Sequence, residues 1–389
     1  MSRIDDLIQE LCPDGVGVLA LGEVCSIETG KLDANAAVPT GDYSFFTTAK
    51  IVSRIENYRW NTEALLIAGN ANVGDVKHFV GKFDAYQRTY VLTEFTTAVI
   101  PRFLYYVVKS RFKDYLSDKT NTAAMTYIVL GTLKNFQIPL PPLEVQREIV
   151  SILDKFTELE AELEAELEAR RNQYAFYRDQ LLIFPETGGV RRVPMGEFAE
   201  LVRGNGMPKA DFTEVGIPAI HYGQIYTHYG SWALETKSFV SSATAAKLAK
   251  VERGDIVITN TSENIGDVGQ AVAWLGREQA VTGGHATVIK HNQNPKYLVY
   301  YFQTAEFTSA KRKFVTGTKV FDVSAKSFAK IQVPLPDRDT QDQIVEILDY
   351  FHELVNDISI GLPAELAARR KQYEYYRDKL LTFKELKSA

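Results

Sequence analysis

One long helix-forming segment occurs twice in the chain, and this repeat constrains the fold more than any other feature of the sequence. Residues 142–184 and 335–383 share the pattern Gln-x-x-Ile-x-x-x-Leu-Asp near their starts and Arg-Arg-x-x-Tyr-x-x-Tyr-Arg-Asp near their ends. The first pattern recurs after 195 residues and the second after 199, so the second copy carries four additional residues. A helix of about 40 residues is about 60 Å long, too long for the core of one domain. The repeat therefore predicts two spacer helices.

The two copies also differ in their expected continuity. Apolar residues such as Ile149, Leu153 and Phe156 recur at heptad-like spacing, which predicts a coiled-coil-like pair. The Glu/Ala/Leu-rich middle of the first copy has no helix breaker, whereas the second contains Gly361 and Pro363. Since proline is tolerated best in the first turn of a helix, we expect a kink or restart there.

The remaining sequence has a mixed α/β character that is similar in both halves. Leu21-Gly-Glu-Val24 matches Met195-Gly-Glu-Phe198, and Asn72-Val-Gly-Asp75 matches Asn264-Ile-Gly-Asp267. Helices are predicted over 103–116 and 297–314, and strands over 64–68, 136–139, 255–259 and 331–334. The prediction is an α+β fold with an internal pseudo-twofold repeat, in which two long antiparallel coiled-coil-like helices separate two α/β domains. The boundaries are 1–141 for the first domain, 142–184 for the first helix, 185–334 for the second domain and 335–389 for the second helix.

The sequence carries no pattern typical of a catalytic or metal site. It lacks a Gly-x4-Gly-Lys-Ser/Thr loop for ATP, and it lacks the Asn/Asp-Pro-Pro-aromatic motif of an adenine methyltransferase. The two cysteines and six histidines complete no zinc spacing. We therefore expect no catalytic residue, no metal and no cofactor in this chain. The polar, acidic start and the lack of a long apolar run predict a cytoplasmic protein that does not contact a membrane.

The charge distribution bears on nucleic-acid binding. The net charge of −5 has the wrong sign for a protein that binds DNA by charge alone. Residues 142–184 hold 5 Lys+Arg against 10 Asp+Glu, whereas residues 185–336 hold 17 against 13. The acidic excess therefore lies mainly on the first helix, and the second domain is basic. We expect the isolated chain to bind DNA weakly.

These motifs, in this order over nearly all 389 residues, resemble the specificity subunit of type I restriction–modification systems. The resemblance includes Leu7-Ile-Gln-Glu-Leu-Cys-Pro-Asp-Gly15, the Pro139-Leu-Pro-Pro142 lead and the twice-repeated helix ends. It implies that each domain reads one half of a bipartite, asymmetric sequence in double-stranded DNA. The helices would set the spacing and dock two methyltransferase subunits, and restriction/translocase subunits would join the full complex. S-adenosylmethionine, ATP and Mg²⁺ would belong to those partners.

Candidate DNA contacts are polar or basic residues in turns that follow predicted strands, because such side chains read base edges and phosphates. In the first domain they are Asn70, Asn72, Lys77, Arg88, Tyr90, Lys119, Asn121 and Thr122. In the second domain they are His221, Tyr222, Gln224, Asn260, Ser262, Asn264, Lys313, Thr316, Thr318 and Lys319, and the densest basic run includes Lys311 and Arg312. A structural role in the turns is the alternative for each of them.

The repeated helix ends supply candidates for partner binding. These are Arg171, Tyr174, Tyr177 and Arg178 in the first copy, and Arg370, Tyr373, Tyr376 and Arg377 in the second. Tyrosines at helical spacing also fit simple packing between helix and domain, and the sequence leaves both roles open. Two functional alternatives also stay open: a non-catalytic coiled-coil scaffold with two ligand-binding heads, and an orphan subunit that never meets a nuclease.

Overall fold

The computed structural model describes residues 3–119, 127–185, 189–356 and 361–386. The chain forms two units, Met1–Glu164 with Leu366–Ala389, and Ala165–Glu365. Each unit thus combines one domain with parts of both long helical segments.

The first unit is built around one mixed sheet, in which β3 and β6 are parallel and the other neighbouring strands are antiparallel. Its helices are α1 (Arg3–Leu11), α2 (Leu21–Val24), α3 (Pro101–Lys119), α4 (Leu130–Lys134) and the start of α5 (Leu143–Leu182). Its strands are β1 (Gly17–Ala20), β2 (Ser26–Thr29), β3 (Tyr43–Phe46), β4 (Ser53–Ile55), β5 (Trp60–Ala68), β6 (Val76–Ala85), β7 (Thr89–Thr93) and β8 (Gln137–Leu140). Six strands pair in the order β2-β7-β5-β6-β3-β4, and β1 pairs separately with β8.

The second unit contains two five-stranded sheets. Its strands are β9 (Arg191–Pro194), β10 (Ala199–Arg203), β11 (Phe212–Thr213), β12 (Ile217–Ile220), β13 (Trp232–Ala233), β14 (Ser238–Val240), β15 (Ala249–Val251), β16 (Ile256–Thr259), β17 (Thr261–Ser262), β18 (Ala271–Trp274), β19 (Ala280–Thr282), β20 (Ala286–His291), β21 (Phe321–Asp322) and β22 (Gln332–Leu335). Its helices are α6 (Met195–Phe198), α7 (Tyr222–Thr227), α8 (Ser242–Ala245), α9 (Pro295–Phe302), α10 (Ala305–Arg312), α11 (Ala325–Phe328), α12 (Arg338–Asn356) and the start of α13 (Gly361–Leu381). The sheets have the orders β10-β20-β16-β18-β13 and β11-β14-β12-β19-β15, while β17 pairs with β21 and β22 with β9.

The predicted long helices are present. The first is one continuous helix of 40 residues, α5. The second is divided: α12 ends at Asn356, and α13 begins at Gly361, whose φ is +70°. Pro363 lies in the first turn of α13, as expected from its missing N–H.

Within each unit, parts of both helical segments pack together. In the first unit the ring of Phe156 lies 5.6 Å from that of Tyr376 and 6.3 Å from that of Tyr373. Arg370 forms ion pairs with Glu160, at 2.6 Å, and with Glu164. Later residues of α5 therefore contact earlier residues of α13, so these two parts run antiparallel.

Two predictions about the domains need correction. The helix predicted over 297–314 is two helices, because Thr304 stops the first and caps the second by accepting a hydrogen bond from the amide of Phe307. The sequence match of Asn72-Val-Gly-Asp75 with Asn264-Ile-Gly-Asp267 also does not place the two glycines at equivalent backbone positions, although Asp75 and Asp267 each donate to the carbonyl of the matched asparagine. Gly74 donates its amide to Ala68 and Gly269 donates to Thr259, both at the end of the central strand. Both glycines have a φ near +80°, so Gly269 is the equivalent of Gly74 and the second loop is longer by four residues.

Candidate nucleic-acid interface

A buried glutamine joins each domain to the long helix that follows it. Gln146 is fully buried; its Oε1 accepts from the amide of Ile100, and its Nε2 donates to the carbonyls of Ala98 and Pro141. Gln341 is likewise fully buried, with its Oε1 3.0 Å from the amide of Asn294. Both amides lie at the residue just before a proline-initiated helix, α3 or α9, where a backbone N–H needs an acceptor from outside the helix.

A carboxylate makes the second repeated connection. Asp154 accepts hydrogen bonds from Arg102, at 2.8 Å, and from the hydroxyl of Tyr106, at 2.5 Å. Asp349 accepts in the same way from Lys296, at 2.5 Å, and from Tyr300, at 2.7 Å. We call these residues, with Gln146 and Gln341, the helix anchors. Their chemistry is nearly the same in both domains, so both domains are held on their helices in the same way.

Another set of side chains occupies equivalent backbone positions but differs between the domains. We call it the turn cluster: Thr29, Asn70, Arg88 and Tyr127 in the first domain, and Arg203, Thr261, His285 and Asp322 in the second. Arg88 lies in the turn between β6 and β7, and His285 in the turn between β19 and β20. The carbonyl of Arg88 accepts from the amide of Gly69, and that of His285 accepts from the amide of Asn260, both at 2.8 Å.

Backbone pairing also shows that the other positions of the turn cluster are equivalent in the two domains. Thr29 pairs with Tyr90 in the β2–β7 ladder, as Arg203 pairs with Thr287 between β10 and β20. Asn70 pairs with Tyr127 across an antiparallel bridge, and Thr261 pairs with Asp322.

In each domain, the backbone at the end of one strand also lies very close to the backbone of the hairpin turn. A Cβ on Gly30 would lie 1.8 Å from the carbonyl oxygen of Ala85, and one on Gly204 would lie 2.2 Å from that of Gly283. Only glycine fits at either position. Within each domain, a strand end and a hairpin turn therefore lie against each other, and this arrangement is the same in both domains.

The turn cluster of the first domain borders a shallow depression. Thr29, Gln87, Arg88 and Tyr127 line a space of about 210 Å³ together with the backbone near Gly69. Arg88 is exposed, and its guanidinium makes no hydrogen bond or ion pair with any residue in the described ranges. Tyr127 is 57% exposed. Hydrogen-bonding groups and an aromatic ring are thus available to a ligand.

In the second domain the turn cluster carries more internal contacts. Thr261 Oγ1 lies 3.0 Å from Nδ1 of His285, whose ring packs against that of Tyr222 at 4.8 Å. Arg203 lies 3.8 Å from the carboxylate of Asp322 and remains about half exposed. This side of the domain therefore presents a cation, an imidazole and a carboxylate close together.

Several residues of the first domain that were predicted as DNA contacts make hydrogen bonds or ion pairs within the chain. Asn72 donates to the carbonyl of Thr48, and Lys77 donates to Ala49 and pairs with Asp75 at 3.0 Å. The hydroxyl of Tyr90 donates to the carbonyl of Ile128, and burial raises its pKa. Asn70 is half-buried, and its side-chain oxygen is enclosed without a hydrogen-bond partner among the described residues. The side chain of Lys119, and Asn121 and Thr122, lie outside the described residues.

In the second domain, burial again separates structural residues from accessible ones. Asn260 is fully buried between the carbonyl of Val323 and the hydroxyl of Thr287, so its side chain cannot reach DNA. Gln224 donates to Ser238 at 2.6 Å, and Lys311 is only 3% exposed. Lys311 donates to the carbonyls of Gly266 and Val268, and burial lowers its pKa to about 8.

The remaining predicted residues of the second domain lie nearer the surface. Tyr222 and Ser262 are half-buried, and Asn264 is exposed although its side-chain oxygen accepts from Gly266. The exposed residues of the basic segment are Arg312, Lys313, Thr316, Thr318 and Lys319. That segment leads directly into β21, which pairs with β17 and so lies beside the turn cluster.

His221 is a structural residue with a pH-dependent consequence. It is buried, and its Nδ1 accepts from the amide of Gly223 at the start of α7. Burial, and then the charges of Lys209 and His285, lower its pKa below the usual value, so folding favours the neutral ring. When the pH falls below about 6.5, the unfolded chain takes up this proton more readily than the folded chain.

We therefore expect the second unit to lose stability between pH 7 and pH 5, because the stabilising contribution of neutral His221 is fully present above about pH 6.5 and is lost as the pH falls through the lowered pKa. His221→Asn keeps an acceptor that can cap α7 but does not titrate. In thermal unfolding, the variant should lose less stability than the wild type over this range. An identical loss in both proteins would contradict this role for His221.

Six of the eight turn-cluster residues were not predicted from the sequence: Thr29, Tyr127, Arg203, Thr261, His285 and Asp322. The anchoring residues on α3 and α9 were not predicted either, although a signal for them exists. Pro101-Arg-Phe-Leu-Tyr-Tyr and Pro295-Lys-Tyr-Leu-Val-Tyr match at an offset of 194, with Tyr106 opposite Tyr300. The turn cluster has no such signal, because its equivalence is visible only in backbone hydrogen bonds.

The four tyrosines that were predicted to bind partners differ in their exposure to solvent. Tyr174 is buried and Tyr373 half-buried, and both hydroxyls are enclosed without a partner in the described parts of the chain. Tyr177 and Tyr376 are 45% and 36% exposed. Phe176 and Tyr375, which precede them, are 60% and 64% exposed.

The four arginines that were predicted to bind partners differ in their ion pairs. Arg178 and Arg377 each pair with the aspartate that follows in sequence, Asp179 or Asp378. Arg370 is held by two glutamates, whereas Arg171 is exposed and forms no ion pair with a described residue.

None of the helices in the described ranges is long and apolar enough to cross a membrane. Among the same residues, no group of three His, Cys, Asp or Glu side chains could hold a metal ion.

Comparison with known proteins gives a consistent result. The model of the type I restriction modification DNA specificity domain matches twice, at residues 13–169 and 189–368. The specificity subunit of the type I restriction enzyme EcoR124I/EcoR124II of Escherichia coli is 36% identical over 263 residues, which are 64% of this chain and 63% of that protein. A putative type I restriction enzyme specificity subunit of Haemophilus influenzae is 28% identical over 88% of this chain and 89% of its own length.

Solved structures share the fold. The S subunit of a type I restriction–modification system from M. genitalium superposes with a TM-score of 0.51 at 17% identity, covering 94% of this chain and 96% of its own. A chain from a structure of the assembly and conformational transition of a type I R-M system gives 0.64 at 18% identity, covering 95% and 98%.

Proposed function

The chain belongs to the type I restriction–modification DNA specificity family and carries two copies of its domain, so its role is DNA sequence specificity; from this premise we propose how the two halves divide that role. Each domain reads one half of a bipartite, asymmetric sequence in double-stranded DNA. The observation that carries this proposal is the contrast between the helix anchors, which are nearly the same in both domains, and the turn clusters, which differ. Similar frames with different side chains suit two readings of one kind of ligand.

The long helices set the distance between the half-sites. The proposed architecture is a pseudo-twofold, antiparallel, coiled-coil-like pair formed by residues 142–184 and 335–389. The opposite running directions of α5 and α13 within the first unit support it. The domain boundaries at 1–141 and 185–334 are part of the same proposal.

Two methyltransferase subunits dock on the helices. Phe176 and Tyr177 in the first copy, and Tyr375 and Tyr376 in the second, expose aromatic surface at equivalent positions. Two equivalent surfaces on one chain suit two copies of the same partner. Methyl transfer, and cleavage where restriction subunits join, take place on those partners, which hold S-adenosylmethionine, ATP and Mg²⁺. The role places the protein in the cytoplasm with the chromosome.

The direct test uses the chain with its cognate methyltransferase subunit. The methylated adenines of cells that express both proteins are mapped by sequencing and compared with those of cells that lack this chain. We expect a discontinuous motif that disappears with the chain. A motif that persists without it would contradict the specificity role and favour the scaffold alternative.

A further inference from the structure

We propose that Arg88 and His285 are specificity-determining residues, each for the half-site read by its own domain. The inference rests on the proposed function and extends it to particular side chains. The observation behind it is that the two residues occupy the same backbone position of the repeated frame but differ in chemistry.

Backbone hydrogen bonds establish this equivalence independently of the side chains. The amide of the residue after each turn donates to the carbonyl three residues earlier: Thr89 to Tyr86, and Ala286 to Gly283. The carbonyls of Thr89 and Ala286 then accept from Gly30 and Gly204. Arg88 and His285 therefore start from the same point of two matching turns.

The pair differs from the helix anchors and from the turn residues that are bonded within their own domain. Equivalent positions that hold the domain on its helix keep their chemistry, as with Tyr106 and Tyr300 or Asp154 and Asp349. The half-buried Tyr90 and the buried Asn260 instead donate hydrogen bonds to backbone carbonyls of their own domains. Arg88 and His285 are exposed and change from a guanidinium to an imidazole. A change of this kind suits a difference in the bases that are read.

The chemistry of Arg88 fits a base edge. A guanidinium can donate two parallel hydrogen bonds to O6 and N7 of guanine, which no other base offers. Gln87 and Tyr127 line the same depression as Arg88. Because no carboxylate among the described residues holds it, binding to DNA would break no ion pair.

The side chain of His285 is shorter than that of Arg88 and can make fewer hydrogen bonds to a base. Its Nδ1 lies 3.0 Å from Thr261 Oγ1, and its ring packs against Tyr222, so two contacts orient the imidazole. Nε2 then remains to make a single hydrogen bond with a base. We infer that the second domain reads its half-site at this position with one bond, where the first domain uses two.

The test is the methylation motif of the complex with its cognate methyltransferase. Arg88→Ala should relax one base position of one half-site, reducing discrimination there by about 10- to 100-fold. His285→Ala should change only the other half-site. Arg88→Lys keeps the positive charge but loses the paired donors, so it should also relax the motif. Each variant is the control for the half-site of the other, and Arg111→Ala, which removes an exposed charge from α3, should leave both unchanged.

The results distinguish a failure of this inference from a failure of the proposed function. If the variants lower methylation equally at all sequences and the motif stays the same, Arg88 and His285 contact phosphates or only shape the turns, and the inference is wrong. If the wild-type chain directs no motif at all, the proposed function fails with it. Should Arg88→Ala fail to assemble, the motif of Arg88→Lys decides the question.

Discussion

Inserting a third Ala-Glu-Leu-Glu tetrapeptide into α5, next to the two copies at 161–168, is expected to lengthen the DNA spacer between the half-sites by one or two base pairs. Four residues add about 6 Å of helix, and DNA rises about 3.4 Å per base pair. Sites with the original spacing should be methylated roughly 100-fold less or worse, because a whole half-site rather than one base pair loses its contacts. The half-site sequences themselves should not change.

The chain is well suited to this insertion. Four residues are close to one helical turn, so both ends of α5 keep nearly the same faces. The second copy already has four additional residues between its two repeated patterns, so the insertion makes the spacing of these patterns equal in both copies. Glu162→Gln with Glu166→Gln is the matched control, since it changes the charge of the same segment but not its length. Unchanged methylation at the original spacing by the lengthened protein would contradict the spacer role.

Replacing either buried glutamine of the helix anchors by leucine is expected to lower the free energy of unfolding by about 3 kcal/mol. Leucine fills similar space but cannot make hydrogen bonds. Gln146→Leu leaves the amide of Ile100 and the carbonyls of Ala98 and Pro141 without their partner. Gln341→Leu removes the same kind of acceptor from Asn294.

Urea-induced unfolding measures both effects. Gln173→Leu and Gln372→Leu are matched controls, because both glutamines are exposed on the long helices and each accepts one bond, at 3.2 Å, from the arginine three residues before it. These controls should stay within about 0.5 kcal/mol of the wild type. Equal, small losses for buried and exposed glutamines would show that the anchors contribute little.

The helical part of the fold could be predicted from sequence because its signals are local. Helix α5 has an uninterrupted run of strong helix formers, and the division before α13 is marked by Gly361 and Pro363. The order of motifs also identified the family. The division at Thr304 was missed because a single threonine cap between two apolar stretches does not interrupt their periodicity.

The site was predicted less well because burial depends on residues far along the chain. Asn260 follows a strand and looks like a surface turn residue, but its partner Val323 is 63 residues away. Lys311 lies in a basic run, yet its ammonium group donates to carbonyls 43 and 45 residues earlier. Of the two turn-cluster residues that were predicted as DNA contacts, Asn70 is half-buried, and Arg88 is exposed with an available guanidinium.

The claim that each domain reads one half-site is tested most directly by a chain that contains the first domain twice. Residues 195–334 are replaced by 21–139, which join equivalent strand ends at Pro194 and Leu335. The methylation motif of its complex is then mapped by sequencing. We expect an inverted repeat, with the half-site of the first domain on both sides of the spacer. An assembled, active complex that still methylates the original asymmetric motif would contradict it.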